Sequence, residues 1–399
     1  MVREHSFTTL GEVKHKKGTI PEISIGLLGY GFMGKAHINA YKKIPYIYWP
    51  PVVKIDLKKL CGIPEEQVKE NQIRYGFKEY TTNWKDLIAD DTLKIFDNTG
   101  PNNFHAEPVI AAAKAGKDIF CEKPLARNSS EAKEMLEAVQ KAGVKHMCGF
   151  NYRFAPAIRF AKDLIARGEL GQIYHFRSRY LQEWIADPNF PFVWRLSKKI
   201  SGSGALGDLG AHSIDLARFL VGEPESVMGI TKTFVKERPK AEGSEEKMPV
   251  DVDDAVEVVI EFKNGAIGTM EASRFCPGKK SENSIEIQGS KGSLSWNMLR
   301  LNELQFYSTK DEEKGVGGSR TISVTESFHP YYKEWWPHGH IIGWEHTVIH
   351  ELKHFLEAVA LNKDISPYGA TFEDGYKCAV ICDAILKSGE TGQKIEIEY

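Results

Sequence analysis

Three stretches of this chain hold residue types whose spacing suits chemistry. The first is Gly29-Tyr30-Gly31-Phe32-Met33-Gly34, a G-x-G-x-x-G run directly after an apolar segment. At a strand-to-helix junction the first glycine makes the tight turn and the second lets backbone approach a pyrophosphate. The third lets the helix pack close to the sheet. The pyrophosphate then rests on the helix N-terminus, where free N–H groups favour anions. This predicts dinucleotide contacts at Gly29, Gly31, Phe32, Met33 and Gly34. The second stretch is Cys121-Glu122-Lys123-Pro124. Pro124 holds Lys123 out of the helical region and admits a cis bond, so the lysine is either aimed into a cleft or solvated at a turn. The third runs from Gly202 to Asp215. In it Asp208 and His212 are four apart and share a face if a helix has begun. A carboxylate beside an imidazole orients it and raises its basicity. The same spacing also suits an N-cap aspartate with a satisfied histidine one turn later.

These residues need a scaffold, and the apolar pattern supplies one. Between 23 and 150, short apolar runs (23–28, 55–61, 93–97, 118–121, 146–150) have the length of buried parallel strands. Helical patterns lie between them at 33–41, 65–75, 106–115 and 129–142. Asn128 with Glu131 has capping-box spacing, and Gly116 and Gly143 follow their helices as C-terminal glycines do. The alternation predicts βαβ units in a doubly wound parallel sheet, with Lys123 at a strand's carboxyl end, where ligands bind. After 150 the rhythm changes. Helical patterns at 155–166 and 210–221 accompany strand patterns at 172–181, 226–235, 255–262, 266–272, 284–288 and 293–296. Lys263-Asn264-Gly265 carries a hairpin signal. This predicts a second, α+β domain with an antiparallel or mixed sheet. The segments 236–248 and 310–320 read as surface loops. The division is then an extension (1–21), a cofactor domain (22–150) and a substrate domain (151–399).

One part of the dinucleotide pattern is missing. An acid at the end of the second strand would bind the adenosine ribose. That strand ends in Cys61-Gly62-Ile63, so Gly62 stands where the acid belongs. Asp56 falls near the strand's start and is discounted. Gly62 leaves room for a 2′-phosphate, yet no arginine follows to bind one. NAD and NADP both stay open, with NAD slightly preferred.

The motifs agree in order and spacing with a known family. Gly29 to Gly34, Pro101-Asn102-Asn103-Phe104-His105, Ala115-Gly116-Lys117, Glu122-Lys123-Pro124, Asn151-Tyr152-Arg153 and the 207–215 run together resemble the Gfo/Idh/MocA oxidoreductases. Within it, Tyr180-Leu181-Gln182-Glu183-Trp184, Trp194-Arg195 and 201–208 resemble its anhydrosugar dehydrogenases. The resemblance implies a Rossmann domain and a second domain with a large open sheet. It also implies a nicotinamide cofactor, a sugar or cyclic polyol substrate, and homodimers or homotetramers. It places the catalytic roles on Lys123, Asp208 and His212. Cofactor contacts fall on Gly62, Pro101, Asn102, His105, Glu122, Lys123 and Asn151. Tyr152, Arg153, Gln182, Trp194 and Arg195 are expected to meet substrate with Asp208 and His212, and Trp184 is a further candidate. The family also includes NAD-dependent glycosidases and non-catalytic regulators; the three retained catalytic residues argue against the regulators.

Composition agrees with this reading. Among 399 residues, 52 basic and 54 acidic side chains leave no footprint for nucleic acid. No apolar run approaches a membrane span, and no secretory signal is visible at the N-terminus. The six cysteines form no framework, which fits free thiols in the cytoplasm. His346, His350 and His354 recur every four residues. Beside the core stripe Val348, Leu352, Phe355 and Leu356, they read as polar packing residues rather than metal ligands. The aromatic run from Phe328 to Trp336 covers either the site or an oligomer contact.

Overall fold

The computed structural model describes residues 20–399, so the predicted N-terminal extension lies almost wholly outside the described residues. Six strands form one parallel sheet: β1 (Glu22–Leu28), β2 (Lys54–Cys61), β3 (Glu79–Thr81), β4 (Ile95–Asn98), β5 (Asp118–Glu122) and β6 (His146–Gly149). Their order is β3-β2-β1-β4-β5-β6. The order reverses between β1 and β4, which opens the crevice where α/β sheets bind ligands. Five of these strands were legible as apolar runs. β3 was not, because Glu79-Tyr80-Thr81 is too short to show a period.

The helix expected at 33–41 runs over Phe32–Ile47 despite Pro45 near its end. Tyr41 and Ile44 are buried there, so packing outweighs the missing hydrogen bond. The helix Ser129–Ala142 begins where Asn128 accepts a bond from Glu131 N at 2.9 Å. It ends at Gly143, whose φ of 66° is left-handed.

The second sheet has nine strands, in the order β16-β15-β14-β13-β7-β12-β11-β8-β17. They are β7 (Ile173–Leu181), β8 (Pro224–Lys232), β11 (Ala255–Phe262), β12 (Ile267–Ser273), β13 (Glu282–Gly289), β14 (Gly292–Asn297), β15 (Glu303–Ser308), β16 (Arg320–Ser323) and β17 (Ile395–Glu396). Within this sheet β12 and β7 pair parallel and the other neighbours antiparallel. The Asn264-Gly265 turn joins β11 to β12 with Gly265 at φ 84°. The loop expected at 236–248 instead contains a small hairpin, β9 (Glu237–Pro239) against β10 (Lys247–Pro249).

The helix Phe372–Thr391 packs between β8 and the helix Ser129–Ala142, while Trp344–Leu361 packs on Phe32–Ile47. Side chains of both sheets therefore join one continuous core. The loops that follow β4 and β5 meet the segment 201–208, where Asn102 donates to Ser201 O and Lys123 to Asp208 O. No helix among the described residues is long and apolar enough to cross a membrane.

Candidate active site

A cavity of about 950 Å³ opens at the crevice between the two sheets. That is near the upper end for ligand pockets. Gly29, Gly31, Phe32 and Met33 line one side, with Gly62, Pro101 and Asn102. Gly29 has a φ of 96°, which only glycine adopts freely. A Cβ on Gly31 would meet nothing within 4 Å, so the backbone is open to a ligand. Gly34 does not line the cavity. A Cβ there would stand 2.4 Å from Gly29 O, so this glycine serves the close packing of helix on turn. The cradle fits a dinucleotide.

Lys123, Asp208 and His212 meet in the same cavity. Lys123 follows β5, and its peptide bond to Pro124 is cis. Its Nζ donates to Asp208 O at 2.6 Å and lies 3.4 Å from Asp208 Oδ1. Asp208 sits in a π-turn, Leu206–Gly210, and the α-helix begins only at Ala211. The i, i+4 face expected for Asp208 and His212 is an α-helical register, and the π-turn interrupts it. The aspartate therefore holds Lys123 rather than the imidazole. His212 is 6% exposed, and its Nδ1 has no hydrogen-bond partner. Its ring packs at 4.7 Å from the ring of Tyr152.

The electrostatics follow from this placement. Burial, then Lys123, holds His212 well below its ordinary value, against a smaller upward pull from Asp208. Its imidazole is thus neutral and able to accept a proton. Burial pushes Asp208 upward, but Lys123, Arg274 and Arg195 outweigh it and keep the carboxylate below its usual range. The side chain is 26% exposed, consistent with its place in the cavity wall.

Glu122 also lines the cavity, and a chain of buried bonds reaches it. Tyr41 donates to Asp97 at 2.8 Å, His37 Nδ1 lies 2.9 Å from Asp97, and His37 Nε2 lies 3.0 Å from Glu122. Glu122 in turn accepts from Lys123 N at 3.2 Å. Asn151 lines the cavity and donates to Thr347 Oγ1 at 2.7 Å.

The substrate side of the cavity has Tyr152, Gln182, Trp184, Trp194 and Arg195 among its lining residues. Besides Gly34, two further expected contacts lie elsewhere. Arg153 is 4% exposed and is committed to Asp215, which accepts at 2.6 Å. A buried guanidinium needs a carboxylate partner, and this one finds it away from the cavity. His105 is also buried, with ring nitrogens 3.0 Å from the carbonyls of Pro124 and Gly100. It ties together two loops that line the cavity without lining it.

Other lining residues were missed. Arg274 is fully buried; its Nη2 donates to Asp253 O at 3.1 Å, and its Nη1, which makes no hydrogen bond, lies 3.9 Å from Asp208 Oδ2. A charge just past an apolar strand was the only sequence signal for it. Tyr180 bonds the Tyr152 hydroxyl at 2.9 Å. Trp344, far along the chain, stacks on Phe32 at 5.1 Å. The histidine stripe has separate partners. His350 accepts from Trp335 Nε1 at 2.7 Å, His354 Nε2 lies 2.8 Å from Ile365 O, and His346 accepts from Gly343 N at 3.1 Å. Among the described residues no group of His, Cys, Asp and Glu is placed to hold a metal.

A glycine cradle at the switch point and a lysine–histidine pair facing it define a nucleotide-dependent oxidoreductase. Residues 23–150 match the oxidoreductase family with an NAD-binding Rossmann fold, and residues 158–295 match the GFO/IDH/MocA C-terminal domain. Levoglucosan dehydrogenase of Pseudarthrobacter phenanthrenivorans is 41% identical over 94% of this chain and 98% of its own length. Myo-inositol 2-dehydrogenase of Thermotoga maritima is 28% identical over 94% of this chain and 98% of its own. A solved structure of levoglucosan dehydrogenase in complex with NADH and levoglucosan superposes with a TM-score of 0.90 at 42% identity. It covers 94% of this chain and 99% of that one. The chain belongs to the Gfo/Idh/MocA family of NAD-binding oxidoreductases.

Proposed function

We propose that the protein oxidises a secondary hydroxyl of a sugar, with anhydrosugars of the levoglucosan type as the first candidates and cyclic polyols next. The observation that carries this is the meeting of Lys123, Asp208 and His212 with Tyr152, Gln182, Trp184 and Trp194 in one cavity. Aromatic walls suit the apolar faces of a sugar, and amide and cationic donors suit its oxygens. The likeness to levoglucosan dehydrogenase supports the anhydrosugar class.

Bound nicotinamide supplies the hydride acceptor. The chain's own residues handle the proton. His212, which lines the cavity with a neutral imidazole, takes the hydroxyl proton as general base. Lys123 has three ammonium donors and directs two contacts at Asp208, which leaves one for the substrate oxygen. That bond stabilises the negative charge growing on the oxygen. Asp208 keeps the ammonium aimed, and Arg274 braces Asp208 from the other side.

The test is a panel of anhydrosugars, aldoses and cyclic polyols, each with NAD and with NADP, followed by absorbance of reduced cofactor. Net NADH formation on levoglucosan or a related anhydrosugar is the expected result. Release of an aglycone without net NADH would replace this reading with a glycosidase.

The oligomer reading follows the open face of the nine-stranded sheet. Met228, Ile230, Val259 and Ile267 are 50–70% exposed there, on adjacent strands. We assign this face to self-association. Light scattering on Val259→Lys should show a smaller particle than the wild type; an unchanged mass would remove the face from the interface.

A further inference from the structure

The missing acid at Gly62 has a physical counterpart in the turn beside it. Tyr30, between the first two glycines of the cradle, lays its ring over the end of β2. A Cβ on Gly62 would stand 2.3 Å from Tyr30 Cε1 and 2.5 Å from Cδ1. Real Cβ atoms essentially never come so near, so Tyr30 in this position requires glycine at 62. Two hydrogen bonds hold the ring in this place. Its hydroxyl donates to Ile63 O and lies 3.3 Å from Gln67 Oε1. The backbone beneath is fixed as well, since Gly29 N donates to Cys61 O at 2.9 Å and Gly62 N to Thr81 O at 3.1 Å. The phenol ring therefore fills the volume into which a carboxylate on residue 62 would project.

The cavity wall at this end carries no formal charge, and a nearby cation, Lys85, sits outside the lining with its Nζ 5.7 Å from the centre of the Trp84 ring. Tyr30, Cys61, Gly62, Ile63, Thr82 and Trp84 line this end of the cavity, and none of them is an acid or a base. The first turn of the adjoining helix Glu65–Tyr75 adds Glu65 and Glu66. A ribose hydroxyl needs only hydrogen bonds here. A 2′-phosphate would bring roughly two negative charges against an aromatic wall near Glu65 and Glu66, with no cation in the lining at this end to offset its desolvation.

We propose that Tyr30, seated on Gly62, is the element that selects NAD over NADP, an aromatic wall taking the place of the carboxylate. The selection rests on dinucleotide binding at the glycine cradle and is independent of which sugar is oxidised. Tyr30 and Gly62 act as one coupled unit: neither can be exchanged alone for the acid-bearing arrangement, and both can be exchanged together.

The experiment is calorimetric titration of the full chain with NADH and NADPH, without sugar, so that it does not depend on turnover. Wild type is expected to bind NADH at least about tenfold more tightly than NADPH. Tyr30→Ala should shrink that ratio by opening the wall. Gly62→Asp alone should weaken NADH by about tenfold or more, because its Cβ overlaps the ring. The double variant Tyr30→Ala/Gly62→Asp should regain NADH affinity to within a few-fold of wild type and weaken NADPH further. Equal wild-type affinities for the two cofactors would overturn the proposal. So would Gly62→Asp binding NADH as wild type does, or a double variant no better than Gly62→Asp. Thermal melts accompany each variant. If Gly62→Asp does not fold, Gly62→Ala replaces it, with the same expected loss of NADH affinity and the same rescue by Tyr30→Ala.

Discussion

Replacing His37, on the helix Phe32–Ile47, by leucine should strongly destabilise the cofactor-binding domain. The imidazole is fully buried between Asp97 and Glu122 and bonds both. Burial alone would lower it, but Asp97 and then Glu122 outweigh that effect and raise it to about 10. The rise from an unfolded value near 6.5, at about 1.4 kcal/mol per pH unit, amounts to about 5 kcal/mol. Removing one member of a buried ion pair typically costs about 3–5 kcal/mol, so two routes agree. At about 2–4 °C per kcal/mol for a cooperative unit of this size, His37→Leu should melt roughly 6–20 °C below wild type at pH 7. The sign of the pH dependence is fixed too. A group raised on folding stabilises fully below its unfolded value and loses that contribution as pH rises through the folded one. The gap between wild type and variant should therefore be widest near pH 6 and narrow steadily toward pH 10. Urea denaturation across that range measures it. A loss below about 1 kcal/mol at pH 7, or a gap independent of pH, would refute the charged-histidine account.

Three further outcomes follow from the site. Lys123→Met and His212→Ala should each lower turnover by at least about 10²-fold while cofactor affinity, read by fluorescence titration, is kept; a variant with wild-type turnover would remove its residue from the mechanism. Arg274→Met takes away one of the cations that hold Asp208 below its usual range, so the acidic limb of the kcat/KM profile should move to higher pH. An unmoved limb would show that Arg274 does not act through Asp208. Gly34→Ala places a methyl group 2.4 Å from Gly29 O, a backbone atom that cannot swing away. Both cofactor affinity and melting temperature should fall, and a variant unchanged in either would contradict the packing role.

Much of the fold was legible because buried parallel strands are short apolar runs with helical patterns between them. β3, β16 and β17 escaped because they are two to four residues long and are placed by a neighbouring strand; β15 escaped although its burial alternates along all six residues, and β9 and β10 lie in a stretch expected to be a loop. In the site, position along the chain identified the residues that end strands or open helices. Gly29, Gly31, Lys123, Asp208 and His212 all line the cavity. Gly34, Arg153 and His105 lie outside the lining: Gly34 serves the close packing of helix on turn, and the polar groups of Arg153 and His105 are spent on Asp215 and on loop carbonyls. Adjacency to a motif does not tell which way a side chain faces.

The sequence by itself determined the glycine cradle, the lysine at a strand end, the absence of an acid at residue 62 and the βαβ rhythm. Each of these is a local property of a few neighbouring residues. Only the tertiary structure decided that Asp208 serves Lys123 rather than His212, because a π-turn shifts the register and Lys123 arrives from a strand 85 residues earlier. It alone also brought Arg274 and Trp344 to the cavity and laid Tyr30 over Gly62. Those contacts are made across distant segments, where packing and charge balance select partners that no local spacing encodes.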